Sequence, residues 1–202
     1  MGMMLIVLLL NLGISFWNAK QAGSIWAESK GLGGWVQVLA WCAAIQSAIG
    51  FTYVYTVVIA FVANSFGYLS ASSLVVLFNL MYLMIILPLL GTGLAITISS
   101  WIAASREKSL ASLGIAGWNT FATAYNAYNA VNSFGAAFSS VSDAFGNMLD
   151  GDGDSDSYRV ILLAAIAVLA GVVTTVTIMH RYEASLPVSD YVRNQYRDLD
   201  YR

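Results

Sequence analysis

Between Lys30 and Arg106 the chain contains no Asp, Glu, Lys, Arg or His, and that gap most narrows what it can fold into. A water-facing surface of that length needs many charged side chains, because these are the residues that stay outside a soluble core. A stretch without them is solvated by lipid. Composition points the same way, with 58% of residues hydrophobic and 10% charged, against about 25% charged in an ordinary globular domain. The expected class is an all-α integral membrane protein.

Apolar runs at about 35–62 and 73–101 each exceed the roughly 20 residues a helix needs to cross a hydrocarbon core. A further run from Val160 to Met179 is bracketed by Arg159 and His180-Arg181 at one bilayer's spacing. A shorter run at about 3–17 gives a first span. It is read as retained, because no Lys or Arg precedes Lys20 and a cut after Ala19 would put Trp17 at position −3, unlike a secretory signal. Trp17, Trp35 and Trp101 fall near span ends, where amphipathic rings favour the headgroup level. Asn64 to Ser70 holds turn formers without charge, so the second and third spans should form an antiparallel hairpin.

The resulting plan is a bundle of three to four transmembrane helices plus a long neutral amphipathic helical segment. A membrane domain covers 1–108, the helical segment 109–149, an acidic loop 150–157, the last span 158–180 and a polar tail 181–202. With four crossings, the loops after the first and third spans hold Lys20, Lys30, Arg106, Lys108 and Arg159, and the opposite side holds Arg181 and the more distant Arg193 and Arg197. The positive-inside rule then leaves the N-terminus and the tail outside. An additional crossing or re-entrant passage between Leu110 and Asn126 would bring the tail to the cytoplasm.

Segment 109–149 is rich in Gly, Ala, Ser, Thr and Asn. Its larger residues Ile115, Trp118, Phe121, Tyr125, Tyr128, Val131, Phe134, Phe138, Val141, Phe145 and Met148 recur at steps of three or four, which is helical periodicity. The expected element is an amphipathic helix, with a break near Gly135, lying as a lid over the bundle. Its other face is neutral, unlike the basic face of a helix that binds anionic lipid.

Chemistry-bearing residues are sparse. Asp150, Asp152, Asp154 and Asp156 are weak candidates for a hard-cation site, because alternating carboxylates can supply the oxygens Ca²⁺ prefers. Ser155 and Ile161 stand where an EF-hand loop needs Gly and a bidentate Glu, so a solvated acidic linker is expected. Catalysis finds no nucleophile–base pair, phosphate loop or metal-ligand set, so the chain is expected to be no enzyme and to need no cofactor. Nine basic residues spread along a chain of net charge −2 make no phosphate-binding patch, so no nucleic acid is expected. Cys42 has no second cysteine to pair with.

Inside the spans the polar residues do not titrate, which argues against proton relays and voltage sensing. Gln46 and Asn79 should hydrogen-bond between helices, and Ala40, Ala44 and Ala48 form a small-residue strip that lets another backbone approach. Pro88, with Gly91 and Gly93, should kink or loosen the third span. The partners implied are the lipid bilayer and other membrane proteins or copies of this chain. Three functions fit: a structural or assembly subunit of a larger membrane complex, an oligomeric pore lined by the Ser/Thr/Asn face of 109–149, or a small transporter with a pocket near Gln46, Asn79 and Pro88.

Overall fold

The computed structural model describes residues 2–29, 34–149 and 156–183. These form five α-helices and no strand: α1 (Gly2–Ser29), α2 (Trp35–Ser65), α3 (Ala71–Glu107), α4 (Leu110–Leu149) and α5 (Asp156–Glu183). Helices α1, α2, α3 and α5 are long and apolar enough to cross a bilayer. The chain is a multi-pass helical membrane protein.

Helix α2 is the hub, packing on α1, α3 and α5, whereas α4 lies chiefly on α3. Small residues make these approaches possible, since hydrophobicity does not draw helices together in lipid and close contact must do so. Ala40 is fully buried beside Ile25 and Val36, and Ala44 packs with Ala22, Ala43 and Met179. Ala48 is half-buried, and its carbonyl oxygen would stand 2.9 Å from a Cβ added at Gly171. Near the other end, Ala60 and Ala63 of α2 meet Leu77 and Met81 of α3 and Val160, Ala164 and Ala167 of α5.

One buried polar node joins three helices. Ser47 Oγ donates to the Ser15 carbonyl at 2.8 Å and lies 3.1 Å from Thr175 Oγ1. A serine hydroxyl has one proton, so Thr175 is the donor in the second bond. Substituting Ser47→Ala removes both bonds, and the expected loss is about 1 kcal/mol, at roughly 0.6 for each interhelical bond in a membrane. A thermal or denaturant midpoint in detergent micelles measures it.

The expected hairpin is present. Helix α2 ends at Ser65, and Gly67 takes a left-handed φ of 64° while its N–H bonds to the Asn64 carbonyl. Ser70 then caps α3 by accepting from the Ser73 N–H at 3.2 Å. The start of α5 is clamped to this turn. Asp156 accepts from the Ser70 N–H and the Ser73 hydroxyl, both at 3.2 Å. Arg159 bridges Asp156 and the Tyr68 carbonyl, its guanidinium 4.6 Å from the Tyr68 ring centroid.

Several expectations change. The first helix does not stop near Trp17 but continues to Ser29, because Ala19, Ala22 and Gly23 give its second half a close contact with α2 and α5. Lys20 therefore stands on a helix, 5.6 Å from the ring centroids of both Trp17 and Tyr182. Helix α3 remains one element with Pro88 inside it, which leaves the expected kink untouched, and the Thr92 hydroxyl donates to the Pro88 carbonyl at 2.7 Å. Helix α4 is likewise continuous past Gly135. Its placement differs most from the sequence reading. Lys108, left-handed at φ 52°, and Ser109 turn the chain sharply, and α4 runs antiparallel along α3 instead of covering the bundle as a lid. Trp101 meets Thr120, Thr97 meets Asn119 and Thr123, and Tyr82 meets Asn129.

Candidate functional site

The α3–α4 contact is built from small and polar residues. Ser112, Ala116, Asn119, Thr123, Asn126, Ala130, Ala137, Val141 and Ala144 are buried or half-buried, and their steps of three and four, with one of seven between Ala130 and Ala137, draw one seam along the helix. Hydroxyls and backbone carbonyls along this side of α4 find partners on α3. Thr97 Oγ1 donates to the Asn119 carbonyl at 3.1 Å and so accepts from Thr123 at 3.0 Å. Trp101 Nε1 donates to Thr120 at 2.8 Å, and the Tyr82 hydroxyl to the Asn129 carbonyl at 3.1 Å.

The large residues point the other way. Trp118 is 64% exposed, Tyr128 68% and Val131 83%. Trp118, Phe121 and Tyr125 follow one another along this outer face with ring centroids 6.0 and 6.3 Å apart. A helix in water buries its large apolar residues; this one buries small residues, polar and apolar, and leaves its large aromatic ones exposed.

Midway along the helices the seam opens. A cavity of ≈ 470 Å³ lies between α2, α3 and α4, lined by Tyr53 and Thr56, by Asn79 and Tyr82, and by Asn132 and Ser133, with apolar residues between them. No charged side chain lines it. Thr56 donates its hydroxyl to the Thr52 carbonyl and Tyr82 to the Asn129 carbonyl, and the Asn132 amide nitrogen donates to the Tyr128 carbonyl. Tyr53, Asn79 and Ser133 make no side-chain hydrogen bond among the described residues.

The residues singled out in the sequence do not converge on one place. Asn79 lines the cavity, while Gln46 and Pro88 do not. Gln46 lies beside Gly93, and a Cβ added at Gly93 would meet Thr123 Oγ1 at 3.0 Å and Gln46 Nε2 at 3.7 Å. Gly93 thus serves the α2–α3–α4 contact, and Gly91 faces open space. Ala40, Ala44 and Ala48 are occupied within the chain by α1 and α5. Asp150, Asp152 and Asp154 lie outside the described residues, as does the tail beyond Glu183. Asp156 is engaged by Ser70, Ser73 and Arg159.

Sequence reasoning passed over Gly23, Gly50 and Gly171. Their added Cβ atoms would run into Met179, Ser15, and Thr52 with Ala48 respectively. A Gly in an apolar run was the available signal, since small residues mark close crossings in membranes. It passed over Tyr53, Asn132 and Ser133 too, because only the fold brings three distant segments together. No family model matches the chain, and no curated protein or solved structure matches it either.

Proposed function

We propose that the chain is a non-enzymatic structural subunit of a larger membrane complex, and that α4 is both a fifth crossing and its main contact surface. The observation that carries this reading is the placement of α4. A helix lying antiparallel along a membrane-spanning neighbour shares its depth, and 40 residues reach about 60 Å, enough to cross the bilayer.

At that depth the exposed side of α4 mixes aromatic residues with Asn132, Ser133, Ser139 and Ser142. Lipid chains offer these polar groups nothing to bond with. A neighbouring protein helix does, and aromatic residues are favoured in protein contacts. The pore reading has less support, because much of the Ser/Thr/Asn side that would line a passage is engaged with α3.

Solubilised gently from its membrane, the protein is expected to migrate with other membrane proteins, well above its 21.7 kDa. The combined change Trp118→Ala, Phe121→Ala and Tyr125→Ala should release it, since aromatic anchors each contribute about 2 kcal/mol or more where they are central. A wild-type monomer, or an assembly indifferent to the triple change, contradicts the proposal.

A further inference from the structure

We infer that the cavity between α2, α3 and α4 binds a neutral lipid amphiphile with a hydroxyl- and ester-bearing head, of the monoacylglycerol class. Its volume of ≈ 470 Å³ lies in the range of small-molecule sites. That is room for a glycerol ester and the first part of an acyl chain. This rests on α4 standing at membrane depth, which makes the cavity a pocket open to lipid rather than to water.

The polar groups choose the head. Asn79 presents a donor and an acceptor on one amide, Tyr53 and Ser133 add hydroxyls, and none of the three has a side-chain partner among the described residues. In hydrocarbon such groups are costly unless paired. A hydroxyl both donates and accepts, so one bound diol can answer the Asn79 amide and a neighbouring hydroxyl together. An ionic head is disfavoured, because no lining residue carries a charge to balance it.

The walls choose the rest. Phe78, Met81, Ile85, Ala136 and Ala137 supply apolar surface for a chain. Phe78 and Tyr53 are partly exposed, 40% and 37%, at a mouth through which the chain can continue into the surrounding lipid.

The test uses the full-length protein in detergent and a monoacylglycerol carrying a diazirine and an alkyne in its acyl chain. Saturable photolabelling on peptides spanning 78–85 and 132–137 is expected, competed by unlabelled monoolein and much less by oleate. Asn79→Leu removes the amide and should weaken labelling about tenfold, the effect of one buried hydrogen bond lost in an apolar site. Ala136→Trp, at an exposed lining position, fills the pocket and should abolish labelling while the protein still elutes as folded.

Labelling spread evenly over α1 and α5, equal competition by oleate, or full labelling of both variants overturns the inference. Maleimide labelling at the two ends of α4 reports separately on whether that helix crosses. Failed photolabelling with α4 ends on opposite sides therefore rejects the binding site alone.

Discussion

Gly171→Leu is expected to force α5 away from α2 and to be among the most damaging single substitutions in the bundle. A Cβ at this position would stand 2.8 Å from the Thr52 nitrogen and 2.9 Å from the Ala48 carbonyl oxygen. Both atoms are backbone, so no rotamer change relieves the contact. Overpacking commonly costs about 1–3 kcal/mol, and the upper end applies where two helices must separate. Separation would also break the Tyr55–Thr174 and Ser47–Thr175 bonds on the same interface.

Gly91→Leu is the matched control, because nothing lies within 4 Å of an added Cβ there and leucine is the better helix former. Thermal unfolding followed by size-exclusion should show a large loss of midpoint for Gly171→Leu and little change for Gly91→Leu. Equal midpoints would mean that the α2–α5 crossing is not what holds the bundle.

Membrane character was legible in the sequence because it depends on composition and run length alone. The gap between Lys30 and Arg106 and the run from Val160 to Met179 need no tertiary information. The hairpin at Asn64–Ser70 was legible too, since Gly67 and the Ser70 cap act locally. The end of α1 was harder, as Asn18, Lys20 and Gln21 look like loop residues until Ala22 and Gly23 are seen against α2 and α5.

Helix α4 shows the deeper difficulty. Its sequence carries two stripes at helical spacing, one aromatic and one of Ser, Ala, Asn and Thr, and periodicity cannot say which is inside. The habit of burying large apolar residues belongs to water. Where lipid is the solvent, small residues pack and polar ones pair between helices, so the stripes exchange places. The cavity was less legible still. Asn79 stood out as an amide in a span, but Tyr53, Asn132 and Ser133 become its neighbours only when α4 folds back along α3.

The course of α4 also decides the orientation of the chain. A fifth crossing puts Arg106, Lys108 and Arg181 at one end of the bundle and Arg159 with Asp156 at the other, whereas four crossings would group Arg159 with Arg106 and Lys108. With five crossings the positive-inside rule would assign the Arg106, Lys108 and Arg181 end to the cytoplasm. The start of α1 and the end of α5 would then lie on opposite sides.

Single cysteines at Leu110 and Leu149, in a Cys42→Ala background, test this directly, since both leucines mark the ends of α4 and are 89% and 80% exposed. A membrane-impermeant maleimide added to right-side-out and to inverted vesicles should label Leu149→Cys only from outside and Leu110→Cys only from the cytoplasmic face. Labelling of both positions from the same face would show that α4 does not cross, and would contradict the account.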